Sequence, residues 1–313
     1  MKAFPTNHLK LRGAALMAIL WIVAILSIAV FSATQFLFIE LESESNASSI
    51  FRAEQLADQG IALAAHPNTK QGDPLLTQQI SDTESFFARI SSEGERLNLN
   101  ALLENPEDDR IVLDELFTRW GLRFDESQEV VDALIDWVDE DDEPTNSGAE
   151  KDLYLGLERT NQPFNRPFEV LEEAEMVYGF QRVIAANPDW KEAFTLMSSG
   201  ALDLNEAPAE LIVVACECGE AAAEQLVEIR NGFDGIRGTL DDEPFGDVET
   251  ALQILAVPTG FEERISARVS VKDEAKRLVS VGRFGTIAVE RIVTVQYTGD
   301  RGEIRQWKTR RVE

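Results

Sequence analysis

The sequence predicts an α+β protein in which a long N-terminal helix packs on an antiparallel sheet. A large inserted helical domain with an internal repeat is expected to interrupt that sheet. Three observations support this prediction: an uncharged apolar run near the start, helical patterns with acidic loops in the middle, and strand-like alternation at the end. The 313 residues suffice for one or two domains that each bury a core.

The N-terminal apolar run extends from Ala14 to Ile39 and contains 26 residues without a charge. That length exceeds the ~20 residues that a helix needs to cross a bilayer. Basic residues precede the run, so the positive-inside rule places the N-terminus in the cytoplasm and the rest of the chain outside. A secretory signal has a shorter apolar core, although Ser32-Ala33 leaves this alternative open, and a plain signal anchor leaves Gly13 unexplained.

The segment Leu11–Leu16, with the sequence Leu-Arg-Gly-Ala-Ala-Leu, resembles the processing site of the type IV pilin superfamily. The resemblance implies a prepilin leader at residues 1–13, cleavage by a prepilin peptidase between Gly13 and Ala14, and N-methylation of Ala14. Most members have Glu at the fifth mature position, where this chain has Ala18. A charge in lipid needs a partner, so a subunit with no neighbour above it at a filament tip needs no such Glu.

The helical pattern continues past the apolar run as an amphipathic segment that reaches about Ala64. Neither Pro nor Gly interrupts residues 14–59. We therefore predict one helix whose first half, residues 14–39, lies in lipid and whose second half packs on a soluble head. The alternative is an anchor followed by an unrelated stalk.

The expected sheet combines a strand within residues 40–98 with several strands within residues 264–313. The second region carries twelve Lys/Arg against six Asp/Glu, a balance of +6 in a chain whose net charge is −27. Its segments alternate apolar and polar residues or are rich in β-branched residues, and a hairpin turn is expected at 299–302. The predicted strands are 86–90, 268–271, 277–281, 288–295 and 304–309.

The middle of the chain, residues 99–263, contains motifs that occur twice in the same order. In each copy an Asn-rich turn precedes a helix, an acidic Asp-Asp-Glu-Pro loop follows, and Pro-Phe opens another helix. We predict two related helical units, at about 96–180 and 201–261, which share one core because neither buries a face alone. The clearest pairs are Leu97–Ala101 with Leu202–Ala207 and Asp141–Pro144 with Asp241–Pro244.

Together these features resemble the minor pseudopilin K of type II secretion systems over nearly the whole chain. The motifs that carry the resemblance are Leu97–Ala101, Leu134–Pro144, Gly148–Glu150 with Tyr154, and Leu204–Pro208. The resemblance implies a pilin-like head with an inserted α-domain that binds calcium. It implies a single-pass inner-membrane protein with a periplasmic soluble domain. Its partners would be minor pseudopilins I and J at the pseudopilus tip, the assembly platform and the prepilin peptidase.

Two acidic loops are candidate calcium sites. Residues 136–152 contain eight carboxylates and one Lys, and calcium takes six to eight oxygen ligands from flexible loops. The alternative is a solvated acidic loop. The first candidate set is Asp139, Asp141, Asp142 and Glu150. The second set lies in a Gly-containing loop without EF-hand spacing and comprises Asp234, Asp241 and Asp242.

The sequence is less consistent with other functions than with assembly. Two His residues argue against His-based hydrolase chemistry, and no single carboxylate stands out as a glycosidase acid, so we expect no enzyme. The helical repeats are similar to helix-hairpin-helix units that bind DNA, but acidic residues crowd the corresponding positions. A signal-anchored periplasmic calcium-binding protein unrelated to pili remains an alternative. Cys216 and Cys218 leave both a strained disulfide and two free thiols open.

Overall fold

The computed structural model of the chain describes residues 9–239, 241–257, 260–298 and 301–312; residues 1–8, part of the predicted leader, lie outside these ranges. The helices are α1 (Leu9–Ala64), α2 (Leu99–Glu104), α3 (Pro106–Arg119), α4 (Phe124–Val138), α5 (Lys151–Gly156), α6 (Gln181–Ala186), α7 (Ala209–Cys216), α8 (Glu220–Arg230), α9 (Val248–Leu255) and α10 (Glu262–Arg268). The strands are β1 (Thr77–Gln79), β2 (Glu84–Ser92), β3 (Leu97–Asn98), β4 (Phe194–Thr195), β5 (Leu202–Asp203), β6 (Val269–Ser270), β7 (Ala275–Phe284), β8 (Ile287–Thr298) and β9 (Arg301–Val312). The predicted α+β class is confirmed.

Helix α1 is one element of 56 residues with two chemically different halves. The segment Leu16–Phe36 has a mean hydropathy of 2.6 and no buried residue, and it is long and apolar enough to cross a membrane. In the second half, Ala53, Leu56 and Ala57 are fully buried against the sheet. The predicted continuous helix, apolar first and amphipathic afterwards, is therefore confirmed.

The head of the protein is a five-stranded antiparallel sheet in the order β1-β2-β7-β8-β9. Helix α1 packs across β2, β7 and β8. Gly282 on β7 allows this close approach, because a Cβ atom there would lie 2.2 Å from the Ala53 carbonyl oxygen. The middle of the sheet joins strands from both ends of the chain: β2 pairs with β7 from Glu84↔Phe284 to Ser92↔Lys276.

The insert leaves the sheet at the end farthest from the apolar segment of α1. At the near end, Arg52 Nε lies 2.7 Å from Glu84 Oε1, where β2 begins. At the far end, the Tyr297 hydroxyl donates to the Ala65 carbonyl oxygen at 3.2 Å. The Tyr297 amide donates to the carbonyl oxygen of Glu274, the residue just before β7. Since β2 ends and β7 begins at this far end, the insert stands beyond the C-terminal end of α1.

The helices of the insert share one hydrophobic core, while two parallel strand pairs, β3 with β4 and β5 with β6, lie at its base. Aromatic side chains occupy much of that core. The largest fully buried ones are Trp137, Trp190, Tyr154, Phe117, Phe180 and Phe194. A single core of this kind agrees with two units that cannot bury a face independently.

The predicted repeat is visible as a duplicated hydrogen-bond pair. Asn100 Nδ2 donates to the Phe168 carbonyl oxygen at 3.0 Å, and the Phe168 amide donates to Asn100 Oδ1 at 2.9 Å. Asn205 makes the same two bonds with Phe245, at 2.9 and 2.8 Å. In both units an Asn after the turn therefore fixes the Phe that follows the acidic loop.

Two boundaries differ from the prediction. Residues 268–271, expected in the head sheet, instead contribute β6, which pairs in parallel with β5 of the insert. The insert accordingly occupies the residues between Ser92 and Ala275, beyond both predicted edges at 99 and 263. Strand-like alternation does not specify the partner of so short a strand. Residues 299–300 of the predicted hairpin turn lie outside the described ranges.

Glu93 joins the head to the insert. Its Oε2 accepts from the Thr195 hydroxyl of β4 at 2.7 Å and pairs with the Arg96 guanidinium. Its Oε1 accepts from the Thr294 hydroxyl of β8 at 2.8 Å. The Glu93 side chain is only 3% exposed, so all three bonds are sheltered from water.

We expect Glu93→Ala to destabilise the protein strongly, because it leaves the Arg96 charge buried without its partner. Removing one member of a buried ion pair costs about 3–5 kcal/mol. The free energy of unfolding of the full chain in detergent would measure this. Glu303→Ala, which removes a surface partner of Arg305, is the control and should change little. Equal losses in the two variants would contradict the role of Glu93.

Candidate metal centre in the helical insert

Three carboxylates meet between the end of α4 and the start of α5. They belong to Asp136, Asp139 and Glu150, and one oxygen of each lies within 4.8 Å of the other two. Asp136 lies in the last turn of α4, Asp139 is the residue at which that helix ends, and Glu150 precedes α5 as its N-cap. Three acidic groups from two helix ends therefore converge on one point.

The loop between α4 and α5 turns back because carboxylates of α4 accept its backbone N–H groups. The Thr145 amide donates to Asp136 Oδ1 at 2.9 Å, and the Ser147 amide donates to Asp132 Oδ2 at 3.1 Å. Gly148 is required beside them, since a Cβ atom there would lie 1.9 Å from Asp136 Oδ2. These contacts bring Glu150 to the end of α4.

Each carboxylate of the cluster retains one buried oxygen without a hydrogen-bond partner among the described residues: Asp136 Oδ2, Asp139 Oδ1 and Glu150 Oε1. Asp136 is fully buried and Glu150 is 5% exposed. A buried acceptor left unpaired costs about 1–3 kcal/mol, and more when it is charged. Three such oxygens at one point fit a hard cation, because calcium binds through oxygen ligands.

The electrostatics of the cluster favour protonation when no cation is bound. Burial raises the pKa of Glu150 to about 7, and the negative charge of Asp136 adds to the effect. Burial also raises the pKa of Asp139 to about 6, with a further contribution from Asp141. The pKa of Asp136 is raised for the same first reason. A bound divalent cation would reverse these preferences by stabilising the ionised forms.

The structure brings together two of the four residues predicted for the first site, Asp139 and Glu150. Asp141 and Asp142 are exposed instead, and Asp141 Oδ1 accepts from the Glu143 amide at 2.8 Å. Asp136 takes their place. The sequence prediction included Asp136 in the acidic segment 136–152 but did not select it as a ligand. Helical spacing was the available signal, since residues three apart lie on one face of a helix.

The second predicted site has a different character. The Thr239 hydroxyl lies within 3.4 Å of a carboxylate oxygen of each of Asp234, Asp241 and Asp242. Asp241 also accepts from the Asp234 amide at 3.0 Å, and Asp242 from the Gly238 amide at 2.8 Å. Within the described part of this loop, none of the three retains a buried oxygen without a partner. Leu240 lies outside the described ranges, and the second site stays a prediction.

The predicted processing residues lie in the first turns of α1. Gly13 and Ala14 belong to the helical backbone, and Ala18 is exposed within the apolar segment. Cleavage and methylation at this position stay predictions. Elsewhere in the chain, Cys216 and Cys218 are free thiols, so the structure has the second of the two alternatives left open by the sequence.

The first half of the insert matches a family model. Residues 95–187 match the family described as type II secretion system protein K. This segment is therefore similar to that family. It contains the whole three-carboxylate cluster, and the resemblance derived from the sequence motifs is thereby confirmed.

Comparison with individual proteins gives one sequence similarity and one structural similarity. The type II secretion system protein K of Pectobacterium carotovorum subsp. carotovorum is 29% identical over 104 residues, which are 33% of this chain and 31% of the relative. The alignment thus spans about a third of that relative. A chain in the crystal structure of the GspK–GspI–GspJ complex from enterotoxigenic Escherichia coli superposes with a TM-score of 0.64 at 13% identity. The match covers 86% of this chain and 98% of that one, and it shows a shared fold.

The raised pKa of Glu150 predicts a pH dependence of stability in the absence of metal. Because the folded-state pKa of about 7 lies above the unfolded value, the folded protein holds the proton more tightly. This contribution to stability is present at low pH and is lost as the pH rises through 7. In EDTA, we expect Glu150→Gln to weaken the fall in melting temperature between pH 5 and pH 8. Identical slopes for the variant and the natural chain would contradict the assignment.

Proposed function

We propose that this chain is a minor pseudopilin that occupies the tip of a type II secretion pseudopilus and assists protein export by assembly rather than catalysis. The observation that supports this most directly is the position of the insert. It stands beyond the C-terminal end of α1, on the side of the head away from the apolar segment.

The steric argument for the tip follows from that position. Pilin-like subunits stack with their long helices alongside one another, so each needs free space above its head. The insert, which lies between Ser92 and Ala275, fills that space. Ala18 supports the same placement, since no acidic side chain is available there to pair with the amine of a subunit above.

The proposed partners are minor pseudopilins of the I and J types, the inner-membrane assembly platform and the prepilin peptidase. The fold shared with a chain of the GspK–GspI–GspJ complex supports the first of these. The apolar segment Leu16–Phe36 supports a single-pass anchor in the inner membrane, with the soluble part in the periplasm.

The proposal includes a structural calcium ion held by Asp136, Asp139 and Glu150. The ion supplies positive charge at three buried oxygens that have no other partner among the described residues. By joining the end of α4 to the start of α5, it stabilises the acidic loop between them.

Two substitutions test the ligand set. Asp136→Asn removes a buried ligand, and we expect it to abolish most of the rise in melting temperature that calcium gives to the natural chain. Asp141→Asn is the matched control, because its exposed side chain accepts only a backbone bond that Asn can also accept. Isothermal titration with calcium should show at least a tenfold weaker affinity for the first variant only. A larger effect of Asp141→Asn would restore the ligand set predicted from sequence.

Processing tests the pseudopilin proposal itself. We expect Gly13→Ala to block cleavage before Ala14 and to stop secretion of type II substrates into the medium. N-terminal sequencing of the natural protein extracted from membranes should begin at Ala14. If gel mobility is the same in cells with and without the prepilin peptidase, the chain is instead a plain signal-anchored protein.

A further inference from the structure

Strand β9 forms an exposed edge of the head sheet. It is 12 residues long and pairs with β8 on one side, while its other side faces no strand among the described residues. All but two of its residues are exposed. Helix α1 covers β2, β7 and β8, so β9 extends past the helix with an unpaired row of backbone groups.

The charge of β9 is opposite to that of the chain. It has five basic residues and one acidic residue, in a protein whose net charge is −27. Arg305 pairs with Glu303 and Arg310 with Glu290, whereas the other three form no ion pair within the described ranges. The five basic residues are Arg301, Arg305, Lys308, Arg310 and Arg311.

One face of β9 carries two large apolar side chains, together with Thr309 and Arg311, and continues the surface on which α1 packs. Trp307 lies opposite Val293, and Ile304 lies opposite Val295. The two valines are buried, but Trp307 is 48% and Ile304 57% exposed. The Arg291 guanidinium covers part of the Trp307 ring, with its Cζ 5.7 Å from the ring centroid. Both large apolar side chains nevertheless keep about half of their surface exposed beside the unpaired edge.

The other face of β9 borders the insert across a cavity of about 490 Å³. Lys308 and Arg310 line the cavity from the strand, and Val170 and Glu172 line it from the insert. Side chains of an added strand would thus find apolar contacts on one face and, on the other, a cavity lined by both basic and acidic side chains.

We propose that β9 docks an acidic, extended segment of a partner protein, which adds to the head sheet as a sixth strand. Backbone hydrogen bonds along the edge supply affinity, and the basic side chains select acidic residues in the partner. The inference concerns a lateral surface and does not depend on calcium or on the position at the tip.

Charge disfavours a second copy of this chain as the occupant of the β9 edge, and distance disfavours a membrane. Pairing β9 with the β9 of a second copy would place like charges against one another. The middle of the strand lies far from the membrane. Its neighbour β8 is fixed to α1 at Asp58, whose Oδ1 lies 2.9 Å from Arg291 Nε. Asp58 lies 22 residues beyond Phe36, which corresponds to about 33 Å along the helix.

The test measures binding of a labelled peptide of alternating Glu and Val to the full chain in detergent by fluorescence anisotropy. A second peptide has the same charge but is N-methylated on the residues of one edge, which removes the backbone donors needed for strand addition. We expect the first peptide to bind and the second to bind at least tenfold more weakly, since several hydrogen bonds of ~1 kcal/mol each are lost.

Charge reversal locates the site. We expect Arg301→Glu combined with Arg311→Glu to weaken binding about tenfold. Arg283→Glu, an exposed basic position on β7 away from the edge, should leave binding unchanged and serves as the control. The proposal is overturned if the acidic peptide does not bind, if the N-methylated peptide binds equally, or if sedimentation shows copies pairing in a manner abolished by the β9 reversals.

Discussion

The structure depends on the pairing of β2 with β7, because this contact closes the head sheet across the whole insert. The nine residue pairs from Glu84↔Phe284 to Ser92↔Lys276 join segments that are far apart in sequence. Each doubling of a closed loop costs only about 0.6 kcal/mol in entropy, so a long insertion is tolerable. The insert also has its own core, and Glu93 fixes its first residues to β4 and β8 through buried bonds.

The insert combines an aromatic core with a cluster of three carboxylates to which the described side chains of that core donate no hydrogen bonds. Trp137, between Asp136 and Asp139 of the cluster, is fully buried, and its ring centroid lies 4.9 Å from that of Phe164. The end of α4 thus places an aromatic side chain in the core and two carboxylates in the cluster. Ionised carboxylates at this depth are unfavourable unless a cation or protons neutralise them. If the proposed calcium ion binds there, folding of the loop and cation binding are parts of one equilibrium.

The sequence was sufficient to predict the order of the helices and strands. It was insufficient to predict which strands pair and which side chains converge. Hydropathy predicted α1, because 26 uncharged residues leave few alternatives, and alternation predicted β7, β8 and β9. The repeated Asn-rich turns predicted the matching roles of Asn100 and Asn205. Short β6 was assigned to the wrong sheet, since a two-residue strand carries no information on its partner. Asp136 was missed because the convergence of the three carboxylates depends on how the loop between α4 and α5 turns back. Gly148 permits that turn, and composition does not reveal it.

Charge is divided between the parts of the molecule in a way that suits a protein working by contact. The acidic groups concentrate in the insert, where a cation can neutralise some of them, while the basic residues concentrate in the strands of the head. The resulting fields oppose association of one insert with another and of one β9 with another. They leave contact between unlike surfaces favourable. A subunit at the proposed tip position needs this combination, since it must bind different neighbours without polymerising with itself.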